Sequence, residues 1–274
     1  MDLPEAAAQL ARDLLFDKAR IQIQYGNASK MHEFLNAGGD PNRLDHFGWS
    51  LGRNALFRDT ASACEILRAL LHHGMSPNIG TDVPILHLCN FPEEAKILLD
   101  AGADPDAAGN ENPYDGFPPI FSYVDKTHNL AMMRVLLANG ADLALTNAAG
   151  QDVEAYARRV AAIYKLHHAS DEQSPIRILK VADFIAEVKC AGSWKAYLKA
   201  PRVELVRLRS LCNRGRAAPP PDPILQRLFA NVAASTSKPA RTRRPLPNGV
   251  FWHVLQFWRT DRDVLPASNR RSIG

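Results

Sequence analysis

Short apolar runs that end in glycine recur along the first half of the chain. MHEFLNA precedes Gly38-Gly39-Asp40, ILRALLHH precedes Gly74-Met75-Ser76, AKILLDA precedes Gly102-Ala103-Asp104, and MMRVLLAN precedes Gly140-Ala141-Asp142. The apolar positions have helical spacing. A glycine closes each run because it takes the left-handed C′ conformation without strain. Successive glycines stand 36, 28 and 38 residues apart, an average of 34, which predicts a structural repeat of about 33 residues. The pattern predicts stacked helical hairpins. Leu70, Leu71, Leu98, Leu99, Leu136 and Leu137, each just before a turn, are expected to share one continuous core. Such a stack builds a rigid surface rather than a reaction pocket.

Flanking segments extend the pattern. Residues 3–24 read as one helix with Leu10, Leu14, Leu15, Ile21 and Ile23 on a broad apolar face, capping the stack. The segment 152–190 reads as two helices around a polar turn at Ala169–Ser174, an altered last hairpin. From Trp194 to Cys212 an amphipathic run is interrupted by Pro201, which predicts two short helices rather than one. A stiff stretch, Pro219-Pro220-Pro221-Asp222-Pro223, leads to a short helix at 224–234 and then to the basic ASTSKPARTRRP. Residues 246–258 have helical apolar spacing at 250, 251, 254, 255, 257 and 258. The expected organisation is a repeat solenoid over 1–190, a helical extension over 191–234, a basic flexible linker over 235–245, and a short helix with its tail over 246–274.

The words between the glycines carry a resemblance. Gly-Arg-Asn-Ala-Leu-Phe (52–57), Pro-Ile-Leu-His-Leu-Cys (84–89) and Gly-Phe-Pro-Pro-Ile-Phe (116–121) stand upstream of three of the turns. They resemble the Gly-x-Thr-Pro-Leu-His-x-Ala opening of the ankyrin repeat, whose second helix ends in Leu-Leu-x-x-Gly-Ala-Asp. His87 matches the family's histidine, while Phe57 and Phe121 replace it. The resemblance covers roughly 15–190 and implies an all-α ankyrin-repeat solenoid of four to five hairpins with a small C-terminal helical region. It also implies that His87 hydrogen-bonds its own turn and the neighbouring repeat. The word from Leu246 to Leu255 resembles the opening of an F-box, of the shortened kind at the end of PRANC-type ankyrin proteins. A SOCS box is the rival resemblance, carried by Arg207-Leu208-Arg209-Ser210-Leu211-Cys212 and Arg244-Pro245-Leu246-Pro247, with Arg216 departing from its pattern.

Charge divides the chain. Residues 1–150 hold 11 Lys/Arg against 19 Asp/Glu, a balance of −8, whereas 151–274 hold 22 against 10, a balance of +12. The basic half either contacts the chain's own acidic half or serves an acidic partner or nucleic acid. Cys64, Cys89, Cys190 and Cys212 are scattered without a Cys-x-x-Cys, as in a reduced cytoplasmic or nuclear protein. No run approaches eighteen consecutive apolar residues, so no membrane partner is expected.

No catalytic, cofactor or metal motif emerges from the residues. His72-His73 and His167-His168 are adjacent and diverge on a helix, and Asp40, Asp104 and Asp142 read as turn acceptors. The informative stretches are the long loops 42–52 and 106–116. They place Phe47, Trp49, Tyr114 and Phe117 near the finger tips, which carry binding in ankyrin proteins. Large aromatics there suit a partner surface; the opposing reading folds them back onto neighbouring fingers. The expected function is non-enzymatic binding of a protein partner, without cofactor, through the finger loops and the concave face. A substrate-adaptor role for a cullin-type ubiquitin ligase follows if Leu246, Pro247, Val250, Phe251, Val254 and Leu255 dock an adaptor rather than the chain itself. The alternative is a nucleic-acid or chromatin-associated factor using the basic half.

Overall fold

The computed structural model describes residues 3–25, 29–79, 83–110, 116–126, 130–167, 173–218, 228–229 and 254. Among them the chain is all-α, with no named strand; backbone bridging includes the isolated antiparallel pairs Leu44–Ser50 and Thr146–Asp152. Two compact units divide within one helix, the first built mainly from Met1–Ala186 and the second from Glu187–Ala267.

In the first unit, α1 (Leu3–Gln24) and α2 (Ser29–Asn36) are followed by α3 (Leu51–Ala55), α4 (Thr60–His72), a 3-10 helix (Ile85–Leu88) and α5 (Pro92–Asp100). Then come α6 (Pro119–Lys126), α7 (Leu130–Ala138), α8 (Val153–His167) and α9 (Gln173–Cys190), the last of which carries the division between units. Two rows result. In one, α1, α3, the 3-10 helix, α6 and α8 pack in sequence; in the other, α4, α5 and α7 do. The leading elements begin at Leu51, Ile85, Pro119 and Val153, a constant 34 residues apart, although the glycine turns are unevenly spaced. Loops of different length absorb the difference.

Each of the four turns closes in the same way. Gly38, Gly74, Gly102 and Gly140 have φ between 79° and 96°. Their N–H groups donate to Leu35, Leu71, Leu99 and Leu137, and the next N–H reaches back to Phe34, Leu70, Leu98 and Leu136. This double bond is the Schellman closure, which satisfies carbonyls that a helix end leaves open. The same positions feed the core. Leu70, Leu98, Leu99, Leu136 and Leu137 are buried, each stabilising by roughly 1.5–3 kcal/mol through burial. Leu71, expected among them, is only half-buried.

A polar ladder runs along the turns. Asp40, Asp104 and Asp142 each accept the N–H two residues on, as turn acceptors. Asn42 Oδ1 accepts the Ser76 N–H (2.6 Å) while its amide donates to the Gly74 carbonyl (3.0 Å). Asn78 repeats this with Asp104 (2.8 Å) and Gly102 (3.4 Å). Asp106 occupies the next rung, and both its oxygens accept the Asp142 N–H (3.0 and 3.2 Å).

Three expectations need correction. On α1 the buried positions are Phe16, Ala19 and Ile23, whereas Leu10 and Leu14 are 69% and 55% exposed and Ile21 is also exposed. Phe16 meets Phe34 edge-on at 5.6 Å, and that contact sets the helix's rotation. Phe57 does not share the buried environment of His87 and Phe121 but is 58% exposed, because α3 ends at Ala55 before reaching it. Trp194–Asn213 in the second unit forms a single helix, α10, running through Pro201. A proline keeps helical φ and removes one hydrogen bond. Here the Ser193 cap, whose Oγ accepts the Ala196 N–H, and the burial of Tyr197 and Cys212 offset that loss. In this unit Cys212, Leu228 and Phe229 form a small core with Leu205, Val206, Leu208, Ala217 and Val254 against it.

Candidate functional site: the first finger tip

The tip between α2 and α3 is built by one carboxylate. Asp45 Oδ1 accepts the N–H groups of Phe47 and Trp49, both at 2.9 Å, and Asp45 N–H donates to the Trp49 carbonyl at 2.9 Å. Gly48 turns the chain with φ 74°. Ser50 then caps α3, its Oγ accepting the Arg53 N–H at 3.1 Å. Trp49 precedes α3, Arg53 lies within it and Phe57 follows it, and side-chain contacts bring the three together.

Aromatic side chains gather there. Phe47 is 64% exposed. Its ring centroid lies 3.8 Å from that of His46 and 5.7 Å from that of Trp49, and Trp49 lies 6.3 Å from Phe57. The Arg53 guanidinium carbon sits 4.3 Å over the Trp49 ring, within cation–π reach. Arg53 Nε is buried without a hydrogen-bond partner among the described residues, as is Arg58 Nε. Nearby acids are engaged elsewhere: Asp45 in the tip and Asp59 in capping α4. The Ser62 N–H holds the Asp59 carboxyl below its ordinary value.

The chain contains its own control for this tip. Between α7 and α8, Asn147 Oδ1 accepts the N–H groups of Ala149 (3.0 Å) and Gln151 (2.9 Å), and Asn147 N–H donates to the Gln151 carbonyl (2.9 Å). Gly150 repeats the turn at φ 70°. Ala148, Ala149, Gln151 and Ala155 stand where the first tip has His46, Phe47, Trp49 and Arg53. At the position matching Phe57 stands Arg159, whose Nη1 donates to Gln151 Oε1 at 3.0 Å. The same backbone turn therefore forms without the aromatic rings, and the turn of the first tip does not need them to fold.

The other residues singled out in the sequence fare differently. Phe117 is half-buried and turned back onto the chain, stacked on Phe121 at 5.8 Å and 5.7 Å from Tyr156. It joins the packing between α6 and α8, apart from the rings of the first tip. Tyr114 lies outside the described residues, as do Leu246, Pro247, Val250, Phe251 and Leu255, together with the basic segment 235–245. Val254 is half-buried against Cys212, Leu228 and Phe229. Arg53 and Phe57 were missed as site residues; α3 spans only Leu51–Ala55, so no helical face links them to Trp49 in the sequence, and the contacts that do are tertiary.

Other titratable groups serve packing. His87 is buried, with Nε2 2.8 Å from the Ala107 carbonyl and Nδ1 2.9 Å from Ser122 Oγ. A carbonyl only accepts, so Nε2 carries the proton and Ser122 donates to Nδ1. The ring thus ties its own hairpin to the next loop and to α6, and Tyr123 OH donates to the Leu86 carbonyl across the same junction. Burial pushes the Cys64 and Cys212 thiols up from their ordinary value. Among the described residues no group of three or more His, Cys, Asp or Glu could hold a metal ion, and no helix is long and apolar enough to cross a membrane.

Compared with known proteins, the chain matches no family model and no curated sequence.

Proposed function

We propose that the first unit is an ankyrin-type stack that binds a protein partner through its first finger tip, with Phe47, Trp49, Arg53 and Phe57 as the contact residues. The observation that carries this reading is the pair of equivalent tips. The same turn bonds support Phe47, Trp49 and Arg53 at one end and Ala149, Gln151 and Ala155 at the other, so the turn itself does not require the rings. Phe47 and Phe57 are exposed and Trp49 is half-buried between them, and such rings bury much area on association at little rotamer cost. The constant 34-residue interval, the glycine closures and the buried His87 agree with the ankyrin resemblance. A role as ligase adaptor is the lesser reading, because Val254 packs on Cys212, Leu228 and Phe229 of its own unit.

The test compares affinity capture by the full chain with capture by Phe47→Ala, Trp49→Ala and, at the matched tip, Gln151→Ala. Partners are expected to disappear with the first two and persist with the third, with melting nearly unchanged in all. Capture that survives both aromatic replacements would defeat the proposal.

A further inference from the structure

Resting on that reading, we infer the class of partner: an extended peptide segment in which a carboxylate side chain adjoins a bulky apolar one. The exposed rings of Phe47 and Phe57, with Trp49 between them, offer an apolar platform. The acidic requirement comes from Arg53. Its guanidinium carbon sits 4.3 Å over the Trp49 ring, a contact that occupies none of its N–H donors with an acid. Arg53 Nε is itself buried, so the terminal N–H groups are the ones a partner can reach, and among the described residues no ion pair engages the Arg53 or Arg58 side chain. The neighbouring arginines Arg20 and Arg43, by contrast, face Asp17, Asp45 and Asp13.

A guanidinium left unpaired beside an apolar platform matches a carboxylate flanking an apolar anchor, since a charge-assisted bond with both partners dehydrated is stronger than a neutral one. A basic segment would place like charges together. A polyanion is repelled more strongly than a peptide with one carboxylate, because residues 1–150 carry a balance of −8. Asp45 and Asp59 cannot substitute for the partner's acid. Both are held by backbone N–H groups of the tip and of α4.

The experiment selects from a random dodecapeptide display library on the immobilised full chain, with Trp49→Ala, Phe47→Ala and Arg53→Gln in parallel; thermal melts establish that each variant is folded. Enriched sequences are expected to carry Asp or Glu within about three residues of Phe, Trp or Leu, the reach of one extended turn of chain. A synthetic peptide of that sequence should lose about tenfold in affinity on Arg53→Gln, and no more when its own acid is also neutralised, as expected for one charge-assisted pair. Neutral or basic enriched sequences, bound equally by Arg53→Gln but lost on Trp49→Ala, overturn this inference and leave the surface standing. Enrichment indifferent to Trp49 and Phe47, or no enrichment, overturns the surface as well. Tighter binding of a single-stranded oligonucleotide, lost on Arg53→Gln, overturns the peptide in favour of a polyanion.

Discussion

Asp106→Asn should stabilise the protein, by an amount that the ladder itself allows to be worked out. Asn42 and Asn78 each accept from the next turn and donate to its glycine carbonyl. Asp106 only accepts; its ionised carboxylate has no proton to offer the equivalent carbonyl of Gly140. Burial, together with the like charges of Asp104 and Asp142, raises its pKa from the ordinary 3.8, against the lowering effect of the Asp142 N–H. Asparagine adds one neutral hydrogen bond, about 0.5–1.5 kcal/mol. Relief of two partly exposed repulsions adds up to about 1 kcal/mol, and losing the charge on the acceptor side removes about 1 kcal/mol. The net gain is about 1 kcal/mol at neutral pH, or roughly 2–4 °C in melting temperature for a unit of this size. An acid with a raised folded pKa binds its proton more tightly when folded. Its contribution to stability is therefore complete below the unfolded value of 3.8 and is lost as pH rises through the folded value. Protonated, Asp106 has a proton to donate, as asparagine does. The assay is circular-dichroism melting of both proteins at pH 7 and below pH 4, with the difference between them as readout. The variant should lead at pH 7 and the lead should shrink in acid. A variant that melts lower at pH 7, or keeps a constant lead, refutes the argument.

Four further outcomes follow from the packing. Leu136→Ala and Leu98→Ala, both fully buried, should each cost about 2–5 kcal/mol in denaturant unfolding, and no loss in either would dismiss the shared core. His87→Ala should cost about 2–4 kcal/mol, since it opens a cavity and orphans the Ala107 carbonyl and Ser122; a change below 1 kcal/mol would show those bonds to be idle. Pro201→Ala should restore a helical hydrogen bond in α10 and raise the stability of the second unit by about 1–2 kcal/mol, less than the full helix penalty because proline also stiffens the unfolded chain. Partner capture should weaken less than about tenfold between 50 and 200 mM salt; a fall of about a thousandfold would point to phosphate contacts and nucleic acid instead.

Much of the architecture was legible because it is local. A glycine after an apolar run closes a helix by backbone conformation alone, and Asp40, Asp104 and Asp142 accept from N–H groups two residues away, so these features need nothing distant. Helix boundaries near 3–24, 153–167 and 173–190 followed from apolar periodicity for the same reason. Pro201 misled because propensity is a weak term that capping and burial can outweigh. Which face of α1 goes inside depended on where Phe34 and Arg43 arrive to meet Phe16, and the apolar count of the helix does not contain that. The candidate site divides along the same line. Sequence placed Phe47, Trp49 and Phe117 at loops, but exposure depends on neighbours contributed from elsewhere in the chain. Tyr156, 39 residues beyond Phe117, supplies the ring that draws Phe117 inward, whereas no described ring of a later element reaches Phe47. By itself, then, the sequence determined the helices, their closures and the repeat interval, which are set by interactions within a few residues. Only the tertiary structure decided which aromatics remain outside and that Arg53 stands over Trp49 without an acidic partner, because burial and charge pairing are made by residues brought together from distant parts of the chain.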